Sequence, residues 1–238
     1  MNHSDIDFLS FVSKPRVAAS FYEKTDVDVL NKLKDDGLEI AEIRVDMSGL
    51  YDYKSISELM NNYEQFYRIL TIRSAIEGGQ WRHNDRVRYD LFFKLMHLCD
   101  AVDIELDSLI YSQVMNIAKE SKKNVIVSHH DFSETKDIHY LNEYANSAFN
   151  SGADIFKIAT SVRDDSEFNS LQNFLTKWND RKIIVIGMGS NSIAKKTRIL
   201  FPSKGTCIAF SGFKKNLYGQ FSIKETVELI KNSETMKG

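Results

Sequence analysis

The sequence predicts a closed (β/α)8 barrel formed as a single domain over residues 1–238, and three observations carry that expectation. Eight short β-branched or apolar runs recur along the chain, each followed by a longer charged stretch with apolar residues at helical spacing. Only two prolines, Pro15 and Pro202, and 11 glycines interrupt the chain, and no Gly/Ser or charged tract is long enough to link two domains. Eight such units in about 240 residues match the size of a closed barrel, and the number of runs argues against a doubly wound open sheet.

The predicted strands are, in order, Arg16 to Phe21, Ile40 to Asp46, Arg68 to Ser74, Ala101 to Leu106, Asn124 to His130, Asp154 to Thr160, Ile183 to Met188 and Thr206 to Ser211. The segments between them read as helices. Asp26 to Asp36 places Val29, Leu30 and Leu33 on one stripe, and Tyr89 to Leu98 repeats the pattern.

Composition narrows the function classes. With 42% hydrophobic and 27% charged residues the chain has the balance of a soluble globular protein. Its 31 basic and 33 acidic residues give a net charge of -2, which exerts no global pull toward nucleic acid or an anionic membrane. Cys99 and Cys207 lie in apolar stretches without C-x-x-C spacing, so they read as buried free thiols. Met1 to Phe11 lacks the basic flank of a targeting segment, and no run approaches the roughly 20 apolar residues of a membrane span. A cytoplasmic protein is expected.

Strand parity locates the chemistry. Glu42, Arg44 and Asp46 share one face of their run, while Ile43 and Val45 share the other. Thr71 and Arg73 likewise oppose Ile72, Asp103 and Glu105 oppose Ile104, Ser128 and His130 oppose Val127, and Lys157 opposes Phe156 and Ile158. The outer face of a barrel packs on helices and must be apolar, so the polar parity points inward. These residues stand near the carboxyl ends of their strands, where such barrels carry their active sites.

Lys157 is a lone cation in an apolar strand. It reads either as a structural ion pair with Glu42 or Glu105, or as an amine nucleophile able to form an imine with a ketone. His130 shares the inward parity and suits proton abstraction beside an iminium, whereas its neighbour His129 points to the opposite face. A cation held by histidine with Asp131 and Glu105 is a weaker reading, since no i, i+4 ligand spacing supports it. Arg44, Arg73 and Arg198 offer planar forks suited to an acidic or polyhydroxylated substrate. The pair Gly187 and Gly189 falls short of a dinucleotide-binding fingerprint, although an anion-binding turn is possible there.

Several segments, in this order and spacing, resemble the type I 3-dehydroquinate dehydratase family, Schiff-base enzymes of the shikimate pathway. They are Glu42-Ile-Arg44-Val-Asp46, Arg73-Ser-Ala-Ile-Glu77-Gly-Gly79, Ser128-His-His130-Asp-Phe132, Lys157 in its strand, and Gly219-Gln220. His130 and Lys157 stand 27 positions apart, one βα unit. The resemblance implies a dehydratase of 3-dehydroquinate that works without metal or cofactor and pairs as a homodimer. It assigns the imine to Lys157, general acid/base work to His130 and the orientation of His130 to Glu77. Glu42, Arg44 and Arg73 would contact substrate hydroxyls and nearby polar atoms, and Arg198 with Gln220 would hold the carboxylate.

The chain departs from the family pattern in places. Asn216 stands where serine is usual, Tyr218 replaces a proline and Ile186 a methionine. Arg198 aligns only after a two-residue insertion, without which Lys196 takes its place. The segment Lys214 to Phe221 is expected to form a lid hinged at Gly219, with Asn216 contacting the substrate. Two rival readings are another Schiff-base aldolase, with a phosphate site from Gly187, Gly189 and Ser211-Gly212, and a catalytically silent ligand-binding barrel.

Overall fold

The computed structural model describes residues 6–213 and 219–235. Eight parallel strands are present: β1 (Arg16–Phe21), β2 (Ile40–Arg44), β3 (Tyr67–Thr71), β4 (Ala101–Glu105), β5 (Asn124–Asp131), β6 (Ile155–Ser161), β7 (Ile183–Met188) and β8 (Ile208–Ser211). Consecutive strands from β1 to β7 pair with one another, and β8 returns to β1, giving the order β7-β6-β5-β4-β3-β2-β1-β8. The seam between β7 and β8 is closed by a bridge between Ile183 and Thr206 and by the Cys207 amide donating to the Ile183 carbonyl at 2.9 Å. The expected barrel is therefore present.

The surrounding helices are α1 (Phe8–Phe11), α2 (Val27–Asp35), α3 (Val45–Ser48), α4 (Tyr53–Asn61), α5 (Asp85–Leu95), α6 (Tyr111–Glu120), α7 (Ile138–Asn150), α8 (Asp165–Lys177), α9 (Ser192–Lys204) and α10 (Ile223–Thr235). Their starts are written in the sequence. Asp26, Asp52, Asn84, Asp137, Asp164 and Asn191 each precede a helix and accept a hydrogen bond from an amide of its first turn, a cap contributing about 1 kcal/mol.

Strand parity divides the core in two. Ile43, Leu70, Val102, Ile104, Val127, Phe156 and Ile158 face outward into a continuous layer beneath the helices. Ile40, Ile69, Ala101, Ile126, Ile155 and Ile184 fill the interior at the amino ends of the strands. Phe8 and Val12, at either end of α1, join that inner layer, and Phe11 stacks on Tyr67 at 4.0 Å. One end of the barrel is thus sealed by apolar side chains, leaving the polar inward residues at the other.

Three strands end earlier than their alternation predicts, β4 by one residue at Glu105 and two others by more. β2 stops at Arg44 because Val45–Ser48 winds into α3, which Gly49 terminates in the left-handed region at φ 70°. β3 stops at Thr71, so Arg73 and Ser74 lie in the following loop. Arg73 is brought to the cavity by loop backbone rather than by strand pleat, and Asp46 reaches Arg44 from the first turn of α3.

Candidate active site

At the carboxyl ends of the strands the inward residues form one buried, charge-paired layer. Lys157, on β6, is 4% exposed, and its Nζ donates to Oδ2 of Asp103 at 2.9 Å and to Oε1 of Glu42 at 3.4 Å. The ammonium also sits 4.5 Å from the ring centre of Phe210 on β8. Of the two partners considered from sequence, Glu42 is present and Glu105 is not. Glu105 instead accepts from the Ser74 amide at 2.7 Å and pairs with Arg88, a buried arginine on α5.

Asp103 ties this layer together. Its Oδ1 accepts from Arg73 at 2.7 Å and from the Ser128 hydroxyl at 2.6 Å, and Ser128 accepts from Arg73 in turn. Burial alone would raise the Asp103 carboxyl; the cations of Arg73 and Lys157 outweigh it and hold the group below the usual carboxylate range. Glu42 is likewise held down against burial, by Lys157 and Arg44. It also accepts from Ser20 and Thr71.

Above this layer stands a second pair. Glu77, in a short 3-10 turn after β3, accepts from the His130 amide at 3.1 Å with the same oxygen that lies 2.8 Å from His130 Nδ1. Burial pushes the Glu77 carboxyl up to about 8 against the pull of Arg73, helped by Glu105 and Asp103. Burial, reinforced by Arg73 and Lys157, pushes the His130 imidazole well down. The pair therefore exchanges a single proton across the neutral range, the arrangement an acid/base group needs.

The glycines after Glu77 are there for space. Gly78 adopts φ 75°, and a Cβ on Gly79 would stand 2.1 Å from the Arg73 carbonyl oxygen. No other residue lets the loop fold back over Arg73 and bring Glu77 to His130.

The remaining predicted residues divide. Arg44 lines the cavity but is clamped by Asp46, with hydrogen bonds of 3.0 and 2.8 Å. Arg198, on α9, also lines it, and its Nη1 donates to the Phe210 carbonyl at 3.3 Å. Burial lowers the Arg198 guanidinium to about 10, which leaves it charged at neutral pH. Lys196 does not take its place: its Nζ lies over the Phe168 ring at 4.5 Å, away from the cavity. Gln220 lines the cavity, whereas Asn216 and Tyr218 lie outside the described residues. Most of the lid expected over Lys214 to Phe221 lies outside the described residues, but the backbone at Gly219 requires glycine. Its φ is 73°, and a Cβ there would meet the Gly189 carbonyl oxygen at 2.4 Å.

The resulting cavity, about 330 Å³, contains Glu42, Arg44, Arg73, Glu77, His130 and Lys157 together with Arg198 and Gln220. A larger depression of about 560 Å³ opens at the other end of the barrel and holds neither Lys157 nor His130. His129 does not line this cavity; its ring lies tilted against Tyr144 at 4.3 Å, with Nδ1 on the far side of Glu77 from His130. Asp131 is engaged by the Ser133 and Glu134 amides, so it does not converge with Glu105 on a cation. Ser211 is bonded to Thr226, and the Gly212 amide to the Phe221 carbonyl, which takes these two donors away from an aldolase phosphate site. Asp46, Asp103 and Ser128 were placed on the inward face by strand parity but given no role in the site; their partners come from the fold.

A model of the type I 3-dehydroquinase family matches residues 21–237. The 3-dehydroquinate dehydratase of Methanosarcina barkeri is 29% identical over 233 residues, covering 93% of this chain and 96% of that protein. That of Methanococcoides burtonii is 32% identical over 180 residues, covering 74% and 76%. The crystal structure of 3-dehydroquinate dehydratase from Aquifex aeolicus superposes with a TM-score of 0.82 at 29% identity, covering 91% of this chain and 98% of that one. With the family model spanning nearly the whole barrel, this chain belongs to the type I 3-dehydroquinase family.

Proposed function

We propose that this barrel is a hydro-lyase that converts 3-dehydroquinate to 3-dehydroshikimate through an imine on Lys157. The single observation that carries the reading is that Lys157 and His130, from adjacent strands, line one cavity with Glu77 bonded to the imidazole. The Lys157 amine adds to the ketone carbon, and the carbinolamine loses water to give an iminium. The iminium draws electrons from the neighbouring carbon, whose proton His130 removes. The enamine then expels the β-hydroxyl, which leaves as water with the proton returned by His130. A water molecule hydrolyses the product iminium and frees the lysine, so one water is lost overall.

The lysine is itself the electron sink, and the steps call on no metal or cofactor. Glu42, Arg44 and Arg73 contact substrate hydroxyls and nearby polar atoms. Arg198 and Gln220 hold the carboxylate, with Asn216 contributing a polar contact. Asp103 and Ser128 keep the lysine and Arg73 in place. The shared cavity supports the roles of Glu42, Arg44, Arg73, Arg198 and Gln220, hydrogen bonds support those of Asp103 and Ser128, and the role of Asn216 rests on the family resemblance alone. A single catalytic domain over 1–238, a homodimer and a cytoplasmic location are proposed on the family resemblance, and light scattering of the purified chain tests the dimer.

The test is turnover. Incubation with 3-dehydroquinate should give a conjugated enone whose ultraviolet absorbance grows with time, and an absence of enone from folded protein contradicts the reading.

A further inference from the structure

We propose that His129, Glu77 and Asp107 form a binding site for a divalent transition-metal ion at the edge of the cavity, and that filling it inhibits the enzyme. Donor atoms from the three side chains lie within 4.8 Å of one another. His129 Nδ1 stands 3.9 Å from Oε1 of Glu77 and 3.9 Å from Oδ2 of Asp107. Those separations are too long for hydrogen bonds. They come close to what one ion requires, since metal–donor distances of about 2.0–2.2 Å place two tetrahedral ligands some 3.3–3.6 Å apart.

A second observation points the same way. His129 Nδ1 is buried and has no hydrogen-bond partner among the described residues. An unpaired buried nitrogen carries a desolvation cost, which coordination would offset. The imidazole is already oriented by its contact with Tyr144, and Asp107, with its side chain 77% exposed, is free to close the remaining distance. One imidazole nitrogen with two carboxylates suits zinc, cobalt or nickel better than the all-oxygen preference of calcium or magnesium. Arg73, 4.0 Å from the other oxygen of Glu77, opposes the ion and limits its affinity.

The consequence follows from the way Glu77 divides its oxygens. Oε2 serves His130 and Oε1 faces His129 and Asp107. An ion on Oε1 draws the carboxylate away from the imidazole and places positive charge beside the acid/base group. His129 lies between Ser128 and His130, and the family resemblance assigns it no role. The binding claim stands on geometry alone, while the inhibition claim rests on the proposed acid/base role of His130 and Glu77.

The experiment titrates chelator-treated wild type, His129→Ala and Asp107→Asn with cobalt chloride and zinc chloride in a non-coordinating buffer. Cobalt is followed by its visible absorbance and zinc by turnover. Wild type should develop a cobalt band that His129→Ala lacks. Zinc should inhibit wild type reversibly, and either variant should raise the half-inhibitory concentration by about tenfold or more while its metal-free turnover stays near wild type. A cobalt band, or zinc sensitivity, unchanged in both variants overturns the site. A band that depends on His129 without any zinc inhibition overturns the regulatory half. A chain with no turnover at all refutes the dehydratase reading, and the cobalt arm still decides the metal site.

Discussion

Nζ of Lys157 lies 2.9 Å from Oδ2 of Asp103, while the other oxygen of that carboxylate takes the Arg73 guanidinium at 2.7 Å. One buried carboxylate on β4 thus holds two buried cations, one from β6 and one from the loop after β3. Because the folded state depresses its pKa, Asp103 contributes stability above its unfolded value near 3.9 and loses it as pH falls below that.

Replacing Asp103 with asparagine preserves the shape and removes the charge. Breaking a buried ion pair from one side costs about 3–5 kcal/mol, and Glu42 at 3.4 Å offers only partial compensation to Lys157. Urea denaturation of Asp103→Asn should show a loss of that size. A change under about 1 kcal/mol, the scale of an exposed pair, contradicts the network.

The Glu77–His130 pair should set the acidic limb of the kcat/KM profile. In wild type the pair loses its shared proton as pH rises through the Glu77 value of about 8, which leaves the imidazole free to act as base. Glu77→Gln removes that titration and leaves an imidazole that burial, Arg73 and Lys157 hold well down, so the limb should move to lower pH. A limb in the same place would make Glu77 a purely structural residue.

Gly79→Ala should impair turnover without replacing any titratable group. Its Cβ would stand 2.1 Å from the Arg73 carbonyl oxygen, so the Arg73 backbone must move. Overpacking of this kind costs about 1–3 kcal/mol, and the displaced guanidinium should lower kcat as well. Gly49→Ala is the control, since φ there is 70° but nothing lies within 4 Å. That variant should lose stability and keep its kcat.

Arg198→Ala should raise KM strongly, while Lys196→Ala should leave it unchanged. Arg198 lines the cavity, and Lys196 packs over Phe168 outside it. Steady-state kinetics giving the reverse order would mean that the two-residue insertion has been placed wrongly.

Much of this was legible in the chain because strand pleat is a strictly local rule. Arg16–Phe21 and Ile183–Met188 run between the same residues in sequence and structure, since their β-branched runs stop at turn residues. Alternation misled at Asp46, where the pattern continues into α3 and only the left-handed Gly49 marks the change. Glu77 meets His130 across 53 residues and Asp103 meets Lys157 across 54, and no local periodicity reports such distances. Arg88, which strand parity does not report, is buried against Glu105 and engages the carboxylate that Lys157 does not reach. The family motifs supplied Glu77, while the pairing of the inward-facing Asp103 with Lys157 and Arg73 required the fold.

The central claim is that Lys157 is the covalent nucleophile and His130 a separate proton carrier. Borohydride reduction in the presence of 3-dehydroquinate, followed by peptide mass spectrometry, tests it most directly. Wild type should carry one reduced adduct on the Lys157 peptide. His130→Ala should still be trapped there while turning over about 10²–10⁴ times more slowly, and His129→Ala should be far less affected. An adduct on any other lysine, or none from a fully active enzyme, contradicts the account.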